Sequence, residues 1–236
     1  MSVRRRPRRG RPGRFFVLEG LDGAGTTTQA QRLAAWLRAQ GRRVHVTAEP
    51  SGGPVGALVR QVLTHRIGGT ASAEGAAAPF DPHALALLFA ADRLDHFAAE
   101  IGPRLAEGHD VVSDRYTLSS LAYQSLTCGD ASWVEAVNGR APAPDVTLFL
   151  EVSAATAVRR RFAASSRREL FEVPAFQRRV ASSYRRSVCS PGTQRVQPDA
   201  SDVSGCTRRP GPGCGRDGVS PFMRRLGRGT TERRTP

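Results

Sequence analysis

Lysine is absent from this 236-residue chain, and all 35 of its basic residues are arginine. Any site that needs a flexible ammonium group must do without one or take a guanidinium from elsewhere. A lysine-free chain rich in Ala, Arg, Gly and Pro most simply reflects coding bias. Long apolar runs are missing too. Nothing approaches the ~18 residues of a membrane span, and the basic N-terminus lacks the apolar core of ~7–15 residues that marks a secretory signal. These two absences predict a cytoplasmic protein with no membrane partner. Cysteine is scarce: Cys128 stands alone in the body, while Cys189, Cys206 and Cys214 lie near the C-terminus without histidines or paired CxxC spacing. That argues against both a structural zinc and a disulfide framework.

The formal charge of +14 invites a nucleic-acid reading, but the charge is concentrated at the ends. Residues 1–14 hold seven Arg and no acid, and 187–236 hold nine Arg against four acids. The segment 15–186 keeps 19 Arg against 17 acids, a net of +2. The predicted organisation is therefore a solvated arginine-rich segment at 1–14, one nearly neutral folded domain at 15–186, and a tail at 187–236. No specific nucleic-acid partner is expected.

What the chain does have is an apolar run that breaks into glycines. Residues 15–29 read FFVLEGLDGAGTTTQ, containing Gly20-x-x-x-x-Gly25-Thr26-Thr27. This is the outline of a phosphate-binding loop with threonine in place of its lysine. Glycines at 20, 23 and 25 are read as positions of positive φ and close backbone approach, followed by a helix whose free N–H groups face an anion. The binding stretch is Gly20, Leu21, Asp22, Gly23, Ala24, Gly25, Thr26, Thr27 and Thr28.

Apolar runs and helix-period segments then alternate, as in a parallel sheet covered on both faces. Strands are predicted at 15–19, 44–47, 110–113 and 146–150. Helices are predicted at 26–40, 54–64, 82–107, 118–127, 131–138, 154–162 and 173–186. The stretch 66–79 is an Ala/Gly-rich loop.

Four motifs give this pattern an identity. EGLDGAGTTTQ at 19–29, EPSGGPVG at 49–56, LLFAADR at 87–93 and SDRYTLSSLAYQ at 113–124 occur in the order and near the spacing of the thymidylate kinases, and APAPDVTLFLEV at 141–152 resembles that family's penultimate strand. The resemblance covers roughly 15–186. It implies an α/β P-loop kinase three-layer fold, transfer of the γ-phosphoryl group of ATP to dTMP, Mg²⁺, and a homodimer.

Phosphoryl transfer between two anions is mostly positioning and charge neutralisation, so arginines and a metal are the expected tools. Thr27 and Asp114 are the candidate metal ligands. Arg115 and Arg93 are the candidate clamps on the acceptor phosphate, each offering a bidentate fork. By resemblance, Phe89 stacks on the thymine ring and Asp22 contacts the sugar 3′-hydroxyl. Ser120, Tyr123 and Gln124 fall on the stretch that meets the base and deoxyribose. The basic segment 159–168 resembles a lid that closes over ATP, with Arg167 and Arg168 the expected replacements for the missing lysine charge.

Two departures from the family accompany these matches. Ala48 stands where bacterial relatives usually carry an arginine. From Ser187 onward the chain has one Leu, no Ile and one Ala but eight Gly and six Pro. That puts the family's last strand and closing helix in doubt, although 195–201 resembles the strand. A shifted reading frame in a GC-rich gene or a natural extension would each account for such a tail. A different nucleotide or deoxynucleoside kinase, a catalytically impaired nucleotide-binding relative, and a basic nucleic-acid-binding protein remain open at this point.

Overall fold

The computed structural model describes residues 12–64, 66–67, 80–164, 174–187 and 193–196. Strands β1 (Phe15–Gly20), β2 (Val44–Ala48), β3 (Asp110–Asp114), β4 (Val146–Leu150) and β5 (Thr193–Val196) form a parallel sheet in the order β2-β3-β1-β4-β5. On β1 the alternation of a pleated strand sends neighbouring side chains to opposite faces. Phe16 and Leu18 join Val112 and Leu148 against Ala30, Leu33, Ala34 and Leu37 of helix α1 (Thr26–Ala39). Phe15 and Val17 pack with Val111, Ile101 and Tyr116 on the other side.

The remaining helices are α2 (Pro54–Leu63), α3 (Pro82–His96), α4 (Gly102–Ala106), α5 (Thr117–Cys128), α6 (Ala131–Asn138), α7 (Ala154–Ala164) and α8 (Pro174–Ser187). A third cluster joins Leu21 and Ala24 of the loop after β1 to Ala122 and Tyr123 of α5, Ala157 of α7, and Val180 and Tyr184 of α8. The fold is thus α/β with helices on both faces. The chain leaves β1 toward β3 and β2 on one side and toward β4 and β5 on the other. This reversal opens a crevice at the carboxyl ends of the central strands.

Two sequence expectations change. The helix expected over 82–107 is interrupted: α3 ends at His96, a π-helical turn spans Phe97–Ile101, and α4 begins at Gly102. Pro103 has no N–H to continue the ladder and its ring crowds the preceding turn, so the backbone widens there. The last strand, doubted from composition, is present as β5, pairing Thr147 with Thr193 through Leu150 with Val196. Its partner β4 offers a row of backbone groups that pair without needing apolar side chains. The closing helix and most of the loop at 66–79 lie outside the described residues. Among the described residues, no helix is long and apolar enough to cross a membrane.

Candidate active site

The glycine loop follows β1 directly, and its glycines serve different ends. Gly23 and Gly25 have φ of 86° and 92°, whereas Gly20 is absent from the positive-φ set. The expectation for Gly20 is corrected: it ends β1 in extended backbone and is small for reasons of space. A Cβ there would lie 3.0 Å from Ala24 Cβ and 3.1 Å from the Leu150 carbonyl oxygen. Gly23 is constrained twice, since a Cβ would also fall 2.2 Å from the Ala157 carbonyl oxygen of α7. Gly25 is the N-cap of α1 and has no side-chain cap bond, and the first turn carries no acid. The free amides and the positive end of the helix dipole are therefore turned toward whatever anion enters the loop. Thr26 is buried at 6% exposure and brings no charge.

Charge arrives from other elements. Arg115 follows β3 in the left-handed region, with φ of 74°. Its Nη2 lies 2.5 Å from Oδ1 of Asp22 in the loop, and its Nη1 donates to Ser119 Oγ at 3.1 Å. Burial works against this guanidinium's charge, yet Asp22 first, then Tyr123, Tyr184 and Asp114, hold its pKa well above the ordinary value. Oδ2 of Asp22 accepts from the Tyr123 hydroxyl at 3.0 Å and from Gln177 Nε2 of α8 at 3.1 Å. A second arginine, Arg161 of α7, brings Nη1 to 4.0 Å from Asp22 Oδ1. Its Cβ is 3.3 Å from where a Cβ on Gly23 would stand, so its stem lies against the loop. Two guanidinium groups therefore approach one aspartate beside the loop that has no lysine.

The expected metal pair is also together. Thr27 Oγ1 donates to Asp114 Oδ2 at 2.5 Å, while Asp114 Oδ1 is buried without a hydrogen-bond partner among the described residues. An exposed hydroxyl next to an under-satisfied carboxylate suits a hard cation that takes its remaining ligands from phosphate and water. No group of three or more His, Cys, Asp or Glu gathers among the described residues to hold a metal unaided.

Beside the loop is an open cavity of about 110 Å³. Its lining includes Asp22, Phe89, Arg93, Arg115, Ser120, Tyr123 and Gln124, every residue that the sequence assigned to the acceptor. Glu49, Pro50, Tyr116 and Ser119 complete much of the wall. The Glu49–Pro50 peptide is cis. The turn that follows is held by Asp92, which accepts from the Ser51 amide at 2.8 Å and its hydroxyl at 2.5 Å.

The two arginines expected to share the acceptor phosphate stand in different surroundings. Arg93 is 1% exposed, and its Nε and Nη2 lie 3.0 and 2.8 Å from Glu49 Oε2. It also donates to Asn138 Oδ1, the Tyr116 carbonyl and Ser120 Oγ. Its charge is matched inside the protein, so it brings no surplus to the cavity and suits an uncharged polar group better than a phosphate. Behind it, His96 Nδ1 lies 3.4 Å from Glu49 Oε1. Burial lowers the His96 pKa, but Glu49, with Glu100 and Asp92, more than offsets this and leaves it raised.

Arg167 and Arg168 lie outside the described residues. Ala48 is exposed at the end of β2. Sequence reasoning passed over Glu19, Glu49 and Ser119, which lie inside the quoted motifs but were given no role of their own, and Gln177, which lies in none of them. The signal for Glu19 was an acid ending the apolar run FFVL.

A parallel sheet with a glycine loop after its central strand, a hydroxyl–carboxylate pair and an arginine-lined cavity beside the loop together define a P-loop nucleotide phosphotransferase. The thymidylate kinase family model matches residues 18–201. A probable thymidylate kinase of Pyrobaculum calidifontis is 42% identical over 170 residues, covering 72% of this chain and 80% of the relative. One from Pyrococcus horikoshii is 38% identical over 172 residues, covering 73% and 81%. A thymidylate kinase of Bifidobacterium longum is 50% identical over 113 residues, covering 48% and 52%. This chain belongs to the thymidylate kinase family.

Proposed function

We propose that the chain transfers the γ-phosphoryl group of ATP to dTMP, giving dTDP on the way to dTTP. The observation that carries this reading is the convergence of seven acceptor residues, drawn from three distant stretches, on one cavity next to the phosphate loop. The loop amides from Gly20 to Thr28 hold the triphosphate. Phe89 stacks on the pyrimidine, Ser120 and Gln124 hydrogen-bond its edge, and Arg93 fixes a polar group of the nucleotide. Tyr123 and Asp22 face the deoxyribose. Arg115 holds the acceptor phosphate, so that one of its oxygens attacks the γ-phosphorus while the bond to the β,γ-bridging oxygen breaks. Thr27 and Asp114 would hold Mg²⁺, which supplies charge neutralisation at the phosphate oxygens.

The cation that Thr26 lacks comes from outside the loop. Arg161 is the arginine of α7 that reaches Asp22, and Arg167 and Arg168 lie beyond that helix. The catalytic unit is a single domain that begins at about 15, after the arginine-rich segment 1–14, and takes in β5 from the stretch expected as a tail. Exposed Leu58, Leu87 and Leu94 on the paired helices α2 and α3 offer an apolar surface for a homodimer, and the expected compartment is the cytoplasm. Coupled measurement of ADP release tests the reaction: ADP should form from Mg·ATP when dTMP is added and not without an acceptor. A panel of nucleosides and other monophosphates should give much slower turnover, and faster turnover with any of them would reassign the acceptor.

A further inference from the structure

The strand that enters the phosphate loop ends in a buried acid that the proposed reaction does not use. Glu19 is 0% exposed at the end of β1. Its Oε1 accepts from the backbone N–H of Tyr116 at 2.9 Å and of Ser119 at 3.2 Å. Its Oε2 accepts from Ser119 Oγ at 2.6 Å and from the Tyr184 hydroxyl at 3.2 Å. Two of these donors are amides at the start of α5, whose own N-cap residue, Tyr116, makes no side-chain cap bond. Glu19 therefore caps α5 from a different strand, where a buried amide would otherwise lack an acceptor.

Ser119 passes the constraint onward. While its hydroxyl hydrogen points at Glu19, its oxygen accepts from Arg115 Nη1 at 3.1 Å. The Arg115 backbone needs such support, because a non-glycine residue at positive φ is strained. Its N–H donates to the Leu18 carbonyl and its own carbonyl accepts from Ser113 Oγ, both at 2.8 Å. We propose that Glu19 is a positioning residue that fixes the Arg115 guanidinium relative to the phosphate loop, acting through Ser119 and the first turn of α5. This rests on the proposed function, in which Arg115 meets the acceptor phosphate. Burial pushes the Glu19 carboxyl up to about 7, against the pull of Ser119, Arg115 and the Tyr116 amide. Buried groups perturbed in this way gather at functional sites rather than in ordinary packing.

The test uses Glu19→Gln and Ser119→Ala in the full chain, read by equilibrium titration of dTMP and of Mg·ATP and by thermal unfolding. In Glu19→Gln the amide nitrogen donates where Oε2 accepted, so the Ser119 hydroxyl loses the acceptor that fixes its oxygen toward Arg115. Affinity for dTMP is expected to fall about tenfold or more, while Mg·ATP affinity stays within about twofold. Ser119→Ala leaves the backbone cap in place and should reproduce the loss on the dTMP side. The double variant should lose little beyond Glu19→Gln alone, since both act along one route. Equal weakening of both nucleotides in Glu19→Gln, or unchanged dTMP binding in Ser119→Ala, would overturn the role. Should Glu19→Gln fail to fold, Ser119→Ala decides alone. A wild type that binds neither nucleotide removes the proposed function and this role with it. A wild type that works, with both variants indistinguishable from it, removes only the role of Glu19.

Discussion

Arg115 Nη2 lies 2.5 Å from Asp22 Oδ1, joining the turn after β3 to the phosphate loop across 93 residues of chain. The same guanidinium reaches Ser119 and Tyr184, so its fork is used in several directions at once. Arg115→Lys keeps a charge but cannot span these partners. It is expected to lower kcat by about 10²–10³, the usual cost of one preorganised donor to transition-state charge. Steady-state kinetics against dTMP and against ATP check this. An unchanged kcat would exclude Arg115 from the transferring group.

Gly23 and Gly25 share positive φ but not surroundings, and this separates two substitutions. A Cβ on Gly25 meets nothing within 4 Å, so Gly25→Ala carries only backbone strain, on the order of 1–2 kcal/mol. A Cβ on Gly23 lies 2.2 Å from the Ala157 carbonyl oxygen, so Gly23→Ala must also push α7 off the loop. Thermal unfolding should show Gly23→Ala as the less stable variant, and ATP titration should show it as the weaker binder. The reverse order would contradict the packing of α7 described above.

Arg93 and Arg115 should also part company in stability. Replacing Arg93 with Ala leaves Glu49, whose side chain is 3% exposed, with His96 as its remaining charged neighbour and Asn138 without its donor. Breaking a buried pair in this way typically costs about 3–5 kcal/mol. Arg115 has a side chain 19% exposed, and its removal should alter unfolding far less. Denaturant unfolding of the two alanine variants measures the difference.

Glu19 gives a pH dependence of definite sign. Its pKa is raised from 4.5 to about 7 by burial, so the folded state binds this proton more tightly than the unfolded chain does. The stabilising contribution is complete below 4.5 and is lost as pH rises through about 7. Glu19→Gln has no such proton to lose. Its melting temperature relative to wild type should therefore rise between pH 4.5 and pH 8. A constant difference across that range would mean that Glu19 is not perturbed.

The sheet was legible because strands buried on both faces, such as Phe15–Leu18 and Val146–Leu150, are continuous apolar runs bounded by turn residues. Candidate acceptor residues could be named because the motifs carry them, and all seven line one cavity. What the sequence did not carry was pairing. Arg93 and Arg115 look alike as letters, yet Glu49, 44 residues from Arg93, matches the charge of one and leaves the other to the phosphate loop. β5 was obscured for a related reason: a short edge strand is held by backbone bonds to β4, and its composition says little about it. The π-turn after His96 needed the local conflict at Gly102-Pro103 to be weighed above helical periodicity.

The most direct test of the account is dTMP-dependent ADP formation by the purified chain, measured beside Thr26→Lys and Arg161→Gln. The account predicts that the natural chain turns over with dTMP, that Arg161→Gln loses most of this, and that Thr26→Lys restores it in the Arg161→Gln background. An inactive natural chain that Thr26→Lys converts into a working kinase would contradict it, because guanidinium groups outside the loop would then not be replacing the lysine.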